Sequence, residues 1–239
     1  MHIQDKKHLF FDMDMTIAPA RQPILEEMYE LLSSLPHSII IVSGQEVPKI
    51  KWQSNNLEAI MLGQNGNHAI DIDGTELWNI PLSEKHQNEI FNHISKLTDI
   101  IDHEIKEDWT PIENRGSQIT FSPIGNTAPT EVKMSYDPNR KKRDELLEKI
   151  PFISDELTVK IGGSTSFDYI HKDRHKGANV TKLITHKKWN VIDCVYFGDG
   201  LFPGGNDEAV IGVIDTHPVQ NHLHTYEILK THLILSHKA

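Results

Sequence analysis

Apolar runs and helical segments alternate in the first third of the chain. Leu9 to Phe11 and Ser38 to Val42 are largely apolar runs of strand length, and the second is rich in β-branched residues. Between them, apolar residues from Ile24 to Leu35 recur at the spacing of an amphipathic helix. Continuous apolar strands separated by helices predict a parallel sheet that is covered on both faces.

The same alternation returns near the other end of the chain. The pattern predicts, in order, a helix over Lys176 to His186, a buried strand over Val191 to Phe197, a strand over Val210 to Asp215 and a terminal helix from about Val219 to Leu235. We therefore expect both ends to build one α/β core domain, a Rossmann-like doubly wound parallel sheet, from residues 1–79 and 173–239.

The middle of the chain has a different pattern. It contains two helical segments and several short strands without helices between them: Glu84 to Ile101, Ile112 to Ser122, Arg140 to Ile150, Leu157 to Ile161 and Ser166 to Ile170. Such an order is typical of an α+β layer, in which helices cover one side of an antiparallel sheet. We predict that residues 80–172 form an inserted α+β domain.

Composition excludes several classes of function. The 239 residues carry a net charge of -10, which argues against non-specific binding to nucleic acid. No apolar run approaches the roughly 18 residues of a membrane span, and the polar start from Met1 to Lys7 lacks a signal-peptide core. We expect a cytoplasmic protein with no membrane partner. The single cysteine, Cys194, excludes an internal disulfide and is expected to be a buried strand thiol.

The first candidate chemistry lies at the end of the first predicted strand. Asp12 and Asp14 stand one residue apart, where open α/β sheets build their sites. One carboxylate could attack phosphorus while the other moves protons, and a divalent metal would offset their repulsion. The alternatives are a polar strand end or a calcium loop, although Thr16 and Ile17 stand where an EF-hand needs an acid or Asn and then Gly.

Three further signals follow strands or open a helix in the same predicted sheet. Ser43 ends a strand and could donate to a phosphate oxygen, or it could be a turn residue beside Gly44. Lys176 could supply a cation to a phosphate, or it could be a solvated surface charge. The segment 197–207 places Asp199 at a strand end and then presents Asp207, and carboxylates of this kind suit Mg²⁺.

The acid pair Asp12 and Asp14, the Ser43 hydroxyl, Lys176 and the Gly198-Asp199 pair follow one another along the chain. Together they resemble the haloacid dehalogenase superfamily of phosphotransferases, and the inserted domain stands in the position of that superfamily's large cap. Further motifs resemble the eukaryotic-type α-phosphomannomutases: Phe11-Asp12-Met13-Asp14-Met15-Thr16, Pro19-Ala20-Arg21-Gln22, Glu113-Asn114-Arg115, Ser122-Pro123-Ile124-Gly125, Ile161-Gly162-Gly163, Ser166-Phe167-Asp168 and Phe197-Gly198-Asp199 through Pro203-Gly204-Gly205-Asn206-Asp207. The matches run in order through nearly the whole chain.

The resemblance implies a Mg²⁺-dependent enzyme that acts on hexose phosphates through an aspartyl phosphate. Asp12 would be the nucleophile and Asp14 the acid/base, with Lys176 completing the catalytic set. Mg²⁺ would lie between Asp12, the backbone carbonyl of Asp14, and Asp199. A hexose 1,6-bisphosphate would prime Asp12, and the chain would form a homodimer through its caps. Phosphate and sugar would be bound by Arg21, Ser43, Gly44, Asn65, Arg115, Lys133, Ser166, Asp168, Asn206 and Asp207.

Some positions depart from the family pattern and leave alternatives open. The pattern carries Arg directly after Ser-Pro-Ile-Gly and again about seven residues later, where this chain has Asn126 and Lys133. A weaker grip on a distal phosphate would favour hydrolysis. We expect a phosphomannomutase that serves GDP-mannose synthesis, with a sugar-phosphate phosphatase on the same scaffold as the alternative and an inactive binding protein as a third possibility. For Arg115 and Asp168 the alternative is an ion pair within the cap sheet.

Overall fold

The structure, a computed structural model, describes residues 3–162 and 164–234. The chain forms two compact units, which are Met1–Asn79 with Arg174–Ala239, called the core unit below, and Ile80–Asp173, called the cap unit. Gly163 and Leu235, which belong to a predicted motif and to the predicted terminal helix, lie outside the described residues. No helix within the described ranges is both long and apolar enough to cross a membrane.

Strands and helices are numbered here along the chain. The strands are β1 His8–Asp12, β2 Ser38–Val42, β3 Ile60–Gly63, β4 His68–Ile70, β5 Glu76–Asn79, β6 Ile112–Asn114, β7 Gln118–Phe121, β8 Leu157–Gly162, β9 Ser166–His171, β10 Cys194–Gly198 and β11 Asp215–Pro218. The α-helices are α1 Glu26–Ser34, α2 Val47–Gln53, α3 Glu84–Thr98, α4 Thr130–Tyr136, α5 Lys141–Lys149, α6 Lys176–Lys187 and α7 His222–Leu229.

The core unit is a doubly wound sheet, as predicted. Its strand order is β11-β10-β1-β2-β3-β4-β5. The first five strands of this order are parallel, and the pairs β3–β4 and β4–β5 are each antiparallel. Successive strand residues point to opposite faces, so Leu9 and Phe11 join one buried apolar cluster and Phe10 joins another. Both faces are therefore covered, which explains the continuous apolar runs.

The register of the parallel strands gathers the candidate residues at one edge. Asp12 pairs in register with Val42, so Ser43 lies one position beyond the edge of β2. Phe11 pairs with Phe197, and Asp199 comes just after the end of β10. Parallel strands end on the same side of a sheet, so the polar residues that follow β1, β2 and β10 meet there.

The cap unit is an antiparallel sheet with one apolar and one polar face. Its strand order is β6-β7-β9-β8. Phe121, Phe167 and Tyr169 belong to an apolar cluster that also includes α3 residues. Thr120 and Asp168 are paired across β7 and β9 and occupy the opposite face. The α+β layer expected for the inserted segment is thus present, and its polar face carries the candidate sugar-binding acid.

Two predicted strands of the core unit are wrong in their bounds. Val191 and Ile192 are exposed and form a 3-10 turn, because the Asn190 side chain accepts a hydrogen bond from the Ile192 N–H, and the strand begins only at Cys194. The predicted strand from Val210 to Asp215 is instead a turn that bends at Gly212, whose φ is +84°, and β11 begins at Asp215. Apolar runs alone did not reveal these turns.

Helix ends also differ from the predictions by a few residues. The terminal helix begins at His222, where the Asn221 side chain accepts hydrogen bonds from the N–H groups of Leu223 and His224, and its last described turn, Lys230–Ile234, is a π-helix. The strand character from Ile112 to Ser122 is divided into β6 and β7 by a turn with Gly116 at φ +84°. Cys194 is buried in β10, as expected.

Candidate active site

Asp12 and Lys176 form a buried ion pair at the end of β1. Asp12 is the last residue of β1, and Lys176 is the first residue of α6. The Lys176 Nζ atom lies 2.5 Å from Oδ1 of Asp12 and 2.7 Å from Oδ1 of Asp207. Only 2% of the Lys176 side chain is exposed, which excludes a solvated surface lysine. One buried cation therefore bridges two buried carboxylates.

Asp207 is fully buried beside Lys176. Its Oδ1 atom accepts a hydrogen bond from the Tyr196 hydroxyl at 2.7 Å, and its Oδ2 atom accepts one from the Gly200 N–H at 3.2 Å. The sequence prediction placed Asp207 among the substrate-binding residues. In the structure its carboxylate is instead held between Lys176 and Tyr196, inside the acidic cluster.

Asp199 is held at the end of β10 by Thr16. The buried Thr16 hydroxyl accepts a hydrogen bond from the Asp199 N–H at 3.1 Å and donates to the Asp199 carboxylate at 3.4 Å. The loop then closes tightly, because a Cβ atom on Gly200 would lie 1.8 Å from Oδ1 of Asn206. Asn206 itself is exposed. The loop thus brings the carboxylates of Asp199 and Asp207 close together.

Three carboxylates are close enough to share one cation. One oxygen each of Asp12, Asp199 and Asp207 lies within 4.8 Å of the other two. Burial raises the pKa of Asp12 to about 7 against the attraction of Lys176, and the charges of Asp207 and Asp199 add to the rise. Burial and Asp207 likewise raise the pKa of Asp199. A bound cation would relieve this repulsion, so the donor set suits a hard divalent ion.

Burial opposes the positive charge of Lys176, but the neighbouring carboxylates outweigh it. The charges of Asp12 and Asp207, together with their hydrogen bonds to Nζ, raise the pKa of Lys176 above its ordinary value. Lys176 therefore stays protonated at neutral pH. Its ammonium group is a fixed positive charge beside the carboxylate of Asp12.

The Asp14 carboxylate accepts its hydrogen bonds from residues outside the three-carboxylate cluster. Oδ1 accepts from the Arg21 N–H and from Nε2 of Gln53, both at 2.6 Å, and Oδ2 accepts from Nε2 of Gln45 at 2.9 Å. The three-carboxylate group contains Asp207 where the prediction had Asp14 through its backbone carbonyl. That backbone contact stays a prediction.

Ser43 and Gly44, which follow β2, contact Asn65, which lies in the 3-10 turn after β3. The Ser43 carbonyl accepts from the Asn65 N–H at 2.8 Å, and the Ser43 hydroxyl accepts from the Gln45 N–H at 3.2 Å. A Cβ atom on Gly44 would lie 3.5 Å from Oδ1 of Asn65. Asn65 has a φ of +59°, and its carbonyl accepts from Nδ2 of Asn179 at 2.8 Å. The structure brings these three predicted residues together.

Arg21 presents its side chain from a left-handed turn of the core unit. Arg21 is exposed and has a φ of +57°. Its backbone N–H donates to the Asp14 carboxylate. A left-handed φ is unusual for a residue with a side chain. The turn thus joins a candidate phosphate ligand to the candidate acid/base.

The polar face of the cap sheet holds Asp168 and Arg115 through different partners. The Thr120 hydroxyl donates to Oδ1 of Asp168 at 2.8 Å, and burial raises the pKa of Asp168. The Arg115 guanidinium donates to the Glu113 carboxylate at 2.6 Å. An ion pair within the cap sheet, the alternative left open by the sequence, therefore exists between Arg115 and Glu113, and the charge of Arg115 also lowers the pKa of Asp168 against the effect of burial.

The remaining cap candidates bind backbone carbonyls of their own unit. The Ser166 hydroxyl donates to the Gly162 carbonyl at 2.9 Å, and Nζ of Lys133 donates to the Asn126 carbonyl. The Asn126 amide donates to the carbonyls of Thr110 and Pro111 at 3.1 and 3.2 Å. At the two positions where the family pattern has Arg, this chain thus has residues that shape a loop.

Four site residues were missed by the sequence reasoning. Thr16, Gln45, Gln53 and Tyr196 each bind one of the candidate aspartates. Thr16 belongs to the first motif, and Tyr196 lies on the predicted strand that precedes Asp199, so the sequence carried a signal for both. Gln45 and Gln53 had no such signal, because helix α2 and the turn before it bring them to Asp14.

Comparison with known proteins gives a consistent result. The family model described as eukaryotic phosphomannomutase matches residues 37–233. A phosphomannomutase of Encephalitozoon cuniculi is 31% identical over 232 residues, which cover 90% of this chain and 89% of that protein. A phosphomannomutase of Schizosaccharomyces pombe is 31% identical over 229 residues, covering 86% and 85% of the two chains.

Solved structures show the same fold at low identity. A haloacid dehalogenase-like hydrolase from Bacteroides thetaiotaomicron superposes with a TM-score of 0.61 at 11% identity, covering 95% of this chain and 99% of that one. The family match, the identity to two phosphomannomutases and this fold agree with one another. The chain belongs to the eukaryotic phosphomannomutase family.

Proposed function

We propose that this protein is a Mg²⁺-dependent phosphomannomutase that moves a phosphoryl group between positions 1 and 6 of mannose by way of an aspartyl phosphate. The observation that carries the proposal is the contact of Lys176 with Asp12 inside the three-carboxylate cluster. A buried carboxylate at a strand end, next to a fixed cation, is suited to attack phosphorus. The names of the relatives support mannose as the sugar.

Asp12 and Asp14 have separate roles in this proposal. An Asp12 oxygen attacks the phosphorus atom, while Asp14 protonates the departing sugar oxygen. In the second half of the cycle Asp14 takes the proton from the attacking hydroxyl, and the phosphoryl group leaves Asp12. Lys176 holds the Asp12 carboxylate in place and offsets negative charge near the transferring group.

Mg²⁺ is the metal that the donor set fits. Asp12, Asp199 and Asp207 supply hard carboxylate oxygens, and Lys176 already occupies Oδ1 of both Asp12 and Asp207. We therefore propose that Asp199 and the second oxygen of Asp12 hold the ion, together with the predicted Asp14 carbonyl. When bound, Mg²⁺ neutralises charge on the transferring phosphoryl group.

Substrate binding is assigned to both units. In the core unit, Ser43, Gly44 and Asn65 hold the transferring phosphate, while exposed Arg21 and Asn206 offer further donors. In the cap unit, Arg115, Ser166 and Asp168 bind the sugar phosphate, and Lys133 contributes a charge. Priming by a hexose 1,6-bisphosphate, a homodimer through the cap and a cytoplasmic location complete the proposal and remain predictions from the sequence.

A sugar-phosphate phosphatase is the second candidate, and the cap loop favours it. Lys133 donates to the Asn126 carbonyl, and the Asn126 amide donates to other carbonyls of the loop. Neither residue offers the bidentate fork that Arg offers to a phosphate. A sugar monophosphate that is weakly held at its distal phosphate would leave phosphorylated Asp12 before its hydroxyl attacks, and water would then receive the phosphoryl group from Asp12.

One assay separates the two candidates. The protein is supplied with mannose 1-phosphate and Mg²⁺, with and without glucose 1,6-bisphosphate, and mannose 6-phosphate and inorganic phosphate are both measured. A mutase produces mannose 6-phosphate in a bisphosphate-dependent manner with little inorganic phosphate. A phosphatase produces inorganic phosphate alone. Absence of both products would reject phosphoryl transfer from this substrate.

A further inference from the structure

Gln45 and Gln53 form a short chain of side-chain amides on Asp14. Nε2 of Gln45 donates to Oδ2 of Asp14 and to Oε1 of Gln53, both at 2.9 Å. Nε2 of Gln53 donates to Oδ1 of Asp14 at 2.6 Å. Each glutamine therefore binds a different oxygen of the same carboxylate, and the two glutamines also bind each other.

The chemistry of the groups fixes the direction of these hydrogen bonds. A carboxylate only accepts, so each amide must turn its NH₂ group toward Asp14. Gln45 then uses both N–H bonds of its side-chain amide, one for Asp14 and one for the side-chain carbonyl of Gln53. A flipped amide would place two oxygens against each other in at least one of these contacts.

The backbone on both sides holds the two amides in place. Gln53 is fully buried, and its backbone carbonyl accepts a hydrogen bond from the Ile24 N–H at 2.7 Å. The Gln45 carbonyl accepts from the Gln64 N–H, also at 2.7 Å, and its N–H donates to the Ser43 hydroxyl. Gln45 is thereby tied to Ser43, one of the candidate phosphate ligands.

The two oxygens of Asp14 are left unequal by these contacts. Each carboxylate oxygen can accept about two hydrogen bonds. Oδ1 accepts two, from Arg21 and Gln53, whereas Oδ2 accepts one, from Gln45. Among the contacts of the described residues, Oδ2 is therefore the oxygen with capacity for a proton, and Oδ1 is the natural carbonyl oxygen of the protonated acid.

We propose that Gln45 and Gln53 are positioning residues for Asp14, which fix its carboxyl group so that Oδ2 carries the transferred proton. The inference rests on the proposed function, in which Asp14 is the acid/base. As the bond between phosphorus and the sugar oxygen breaks, its electron pair stays on that oxygen, which takes the proton from Oδ2. An Asp12 oxygen forms the new bond to phosphorus, and Asp14 becomes ionised.

The test compares leaving groups, because a proton donor matters only for a poor one. The Gln45→Met and Gln53→Met variants keep the side-chain length and remove the donors. Single-turnover phosphorylation of Asp12 is measured with glucose 1,6-bisphosphate, whose sugar oxygen is a poor leaving group unless it is protonated, and with p-nitrophenyl phosphate, whose phenolate needs no proton. Gln220→Met, at an exposed loop position, serves as the matched control, and thermal unfolding is followed for every variant.

We expect each variant to lose about 10- to 100-fold with glucose 1,6-bisphosphate and less than about 3-fold with p-nitrophenyl phosphate. An equal loss with both substrates would show a structural role and overturn the inference, as would unchanged rates with both. If Gln53→Met fails to fold, Gln45→Met decides the question, because Gln45 is only half-buried.

Asp14→Asn in the same assay separates this inference from the proposed function. If Asp14→Asn discriminates between the two substrates and the glutamine variants do not, only the positioning role fails. If Asp14→Asn itself loses both activities equally, or neither, the acid/base assignment fails and the inference fails with it.

Discussion

The candidate site residues of the core unit and those on the polar face of the cap sheet hold their charges in different ways. In the core unit, Asp12, Lys176 and Asp207 are buried and bind one another, and burial raises the pKa of Asp12 to about 7. On the polar face of the cap sheet, Arg115 and Glu113 form a half-exposed pair. A buried network is costly to alter, because removing one partner leaves the others buried without an opposite charge.

The difference indicates a division of labour. The core network fixes reacting groups, and small displacements there cost rate. The cap face offers charged and polar groups that can be changed without leaving a buried charge unpaired. We therefore expect core variants to lose the transfer step itself and cap variants to lose selectivity for the substrate. The predictions below test this comparison.

The largest effect is expected from Asp12→Asn. An amide is a poor nucleophile toward phosphorus, so the variant should lose at least about 10³-fold in turnover with any phosphoryl donor. The measurement is the rate of Asp12 phosphorylation by both glucose 1,6-bisphosphate and p-nitrophenyl phosphate. Retained transfer at the wild-type rate would mean that another residue is the nucleophile.

Lys176→Met should affect both rate and stability. It leaves two buried carboxylates without their cation, which costs about 3–5 kcal/mol of unfolding free energy. We also expect a loss of about 10²-fold in rate. Urea unfolding and steady-state kinetics measure the two effects, with the exposed Lys142→Met as the control. A variant as stable as the wild type would refute the buried network.

Arg115→Met should act only on the sugar phosphate. Loss of a charged hydrogen bond weakens binding by about 10-fold or more, so KM for mannose 1-phosphate should rise while the rate with p-nitrophenyl phosphate stays the same. Arg140→Met, an exposed arginine of the cap unit, is the matched control. An equal loss with both substrates would break the proposed division between the units.

Tyr196→Phe should have a smaller effect on the core network. Asp207 would lose one donor and keep Lys176 and the Gly200 N–H. We expect the Mg²⁺ concentration that gives half-maximal activity to rise by up to about 10-fold. Tyr226→Phe, which packs partly buried against the core cluster, is the control. An unchanged Mg²⁺ requirement would show that the hydrogen bond from Tyr196 to Asp207 does not influence the metal site.

The smallest effect concerns pH and the cap unit. Burial lowers the pKa of His93 below its ordinary value of 6.5, so unfolded His93 binds a proton at a pH where folded His93 stays neutral. The free energy of unfolding should therefore fall as pH falls below 6.5, and this fall should be weaker in His93→Gln. Urea titrations between pH 5 and 7.5 test it. An identical pH dependence in both proteins would exclude a contribution from His93.

Regular strands were predictable because burial on both faces leaves a continuous apolar run. Ser38–Val42 was predicted with the bounds that it has. The strand ends near Val191 and Val210 were not, because turns formed by Asn190 and Gly212 depend on local hydrogen bonds and on a positive φ rather than on hydropathy. The parallel order of the core sheet followed from the alternation of strands and helices.

The sequence by itself determined the family, the α/β core and the order of the reactive residues, because each motif is local and strand ends expose the residues that follow them. Only the tertiary structure decided which groups touch. Asp207 binds Lys176 and Gln45 binds Asp14, each across a sequence separation of 31 residues, and Gln53 binds Asp14 across a separation of 39 residues. Hydrogen bonds over such separations depend on distances of a few ångströms, which the packing of helices on the sheet sets and no local pattern encodes.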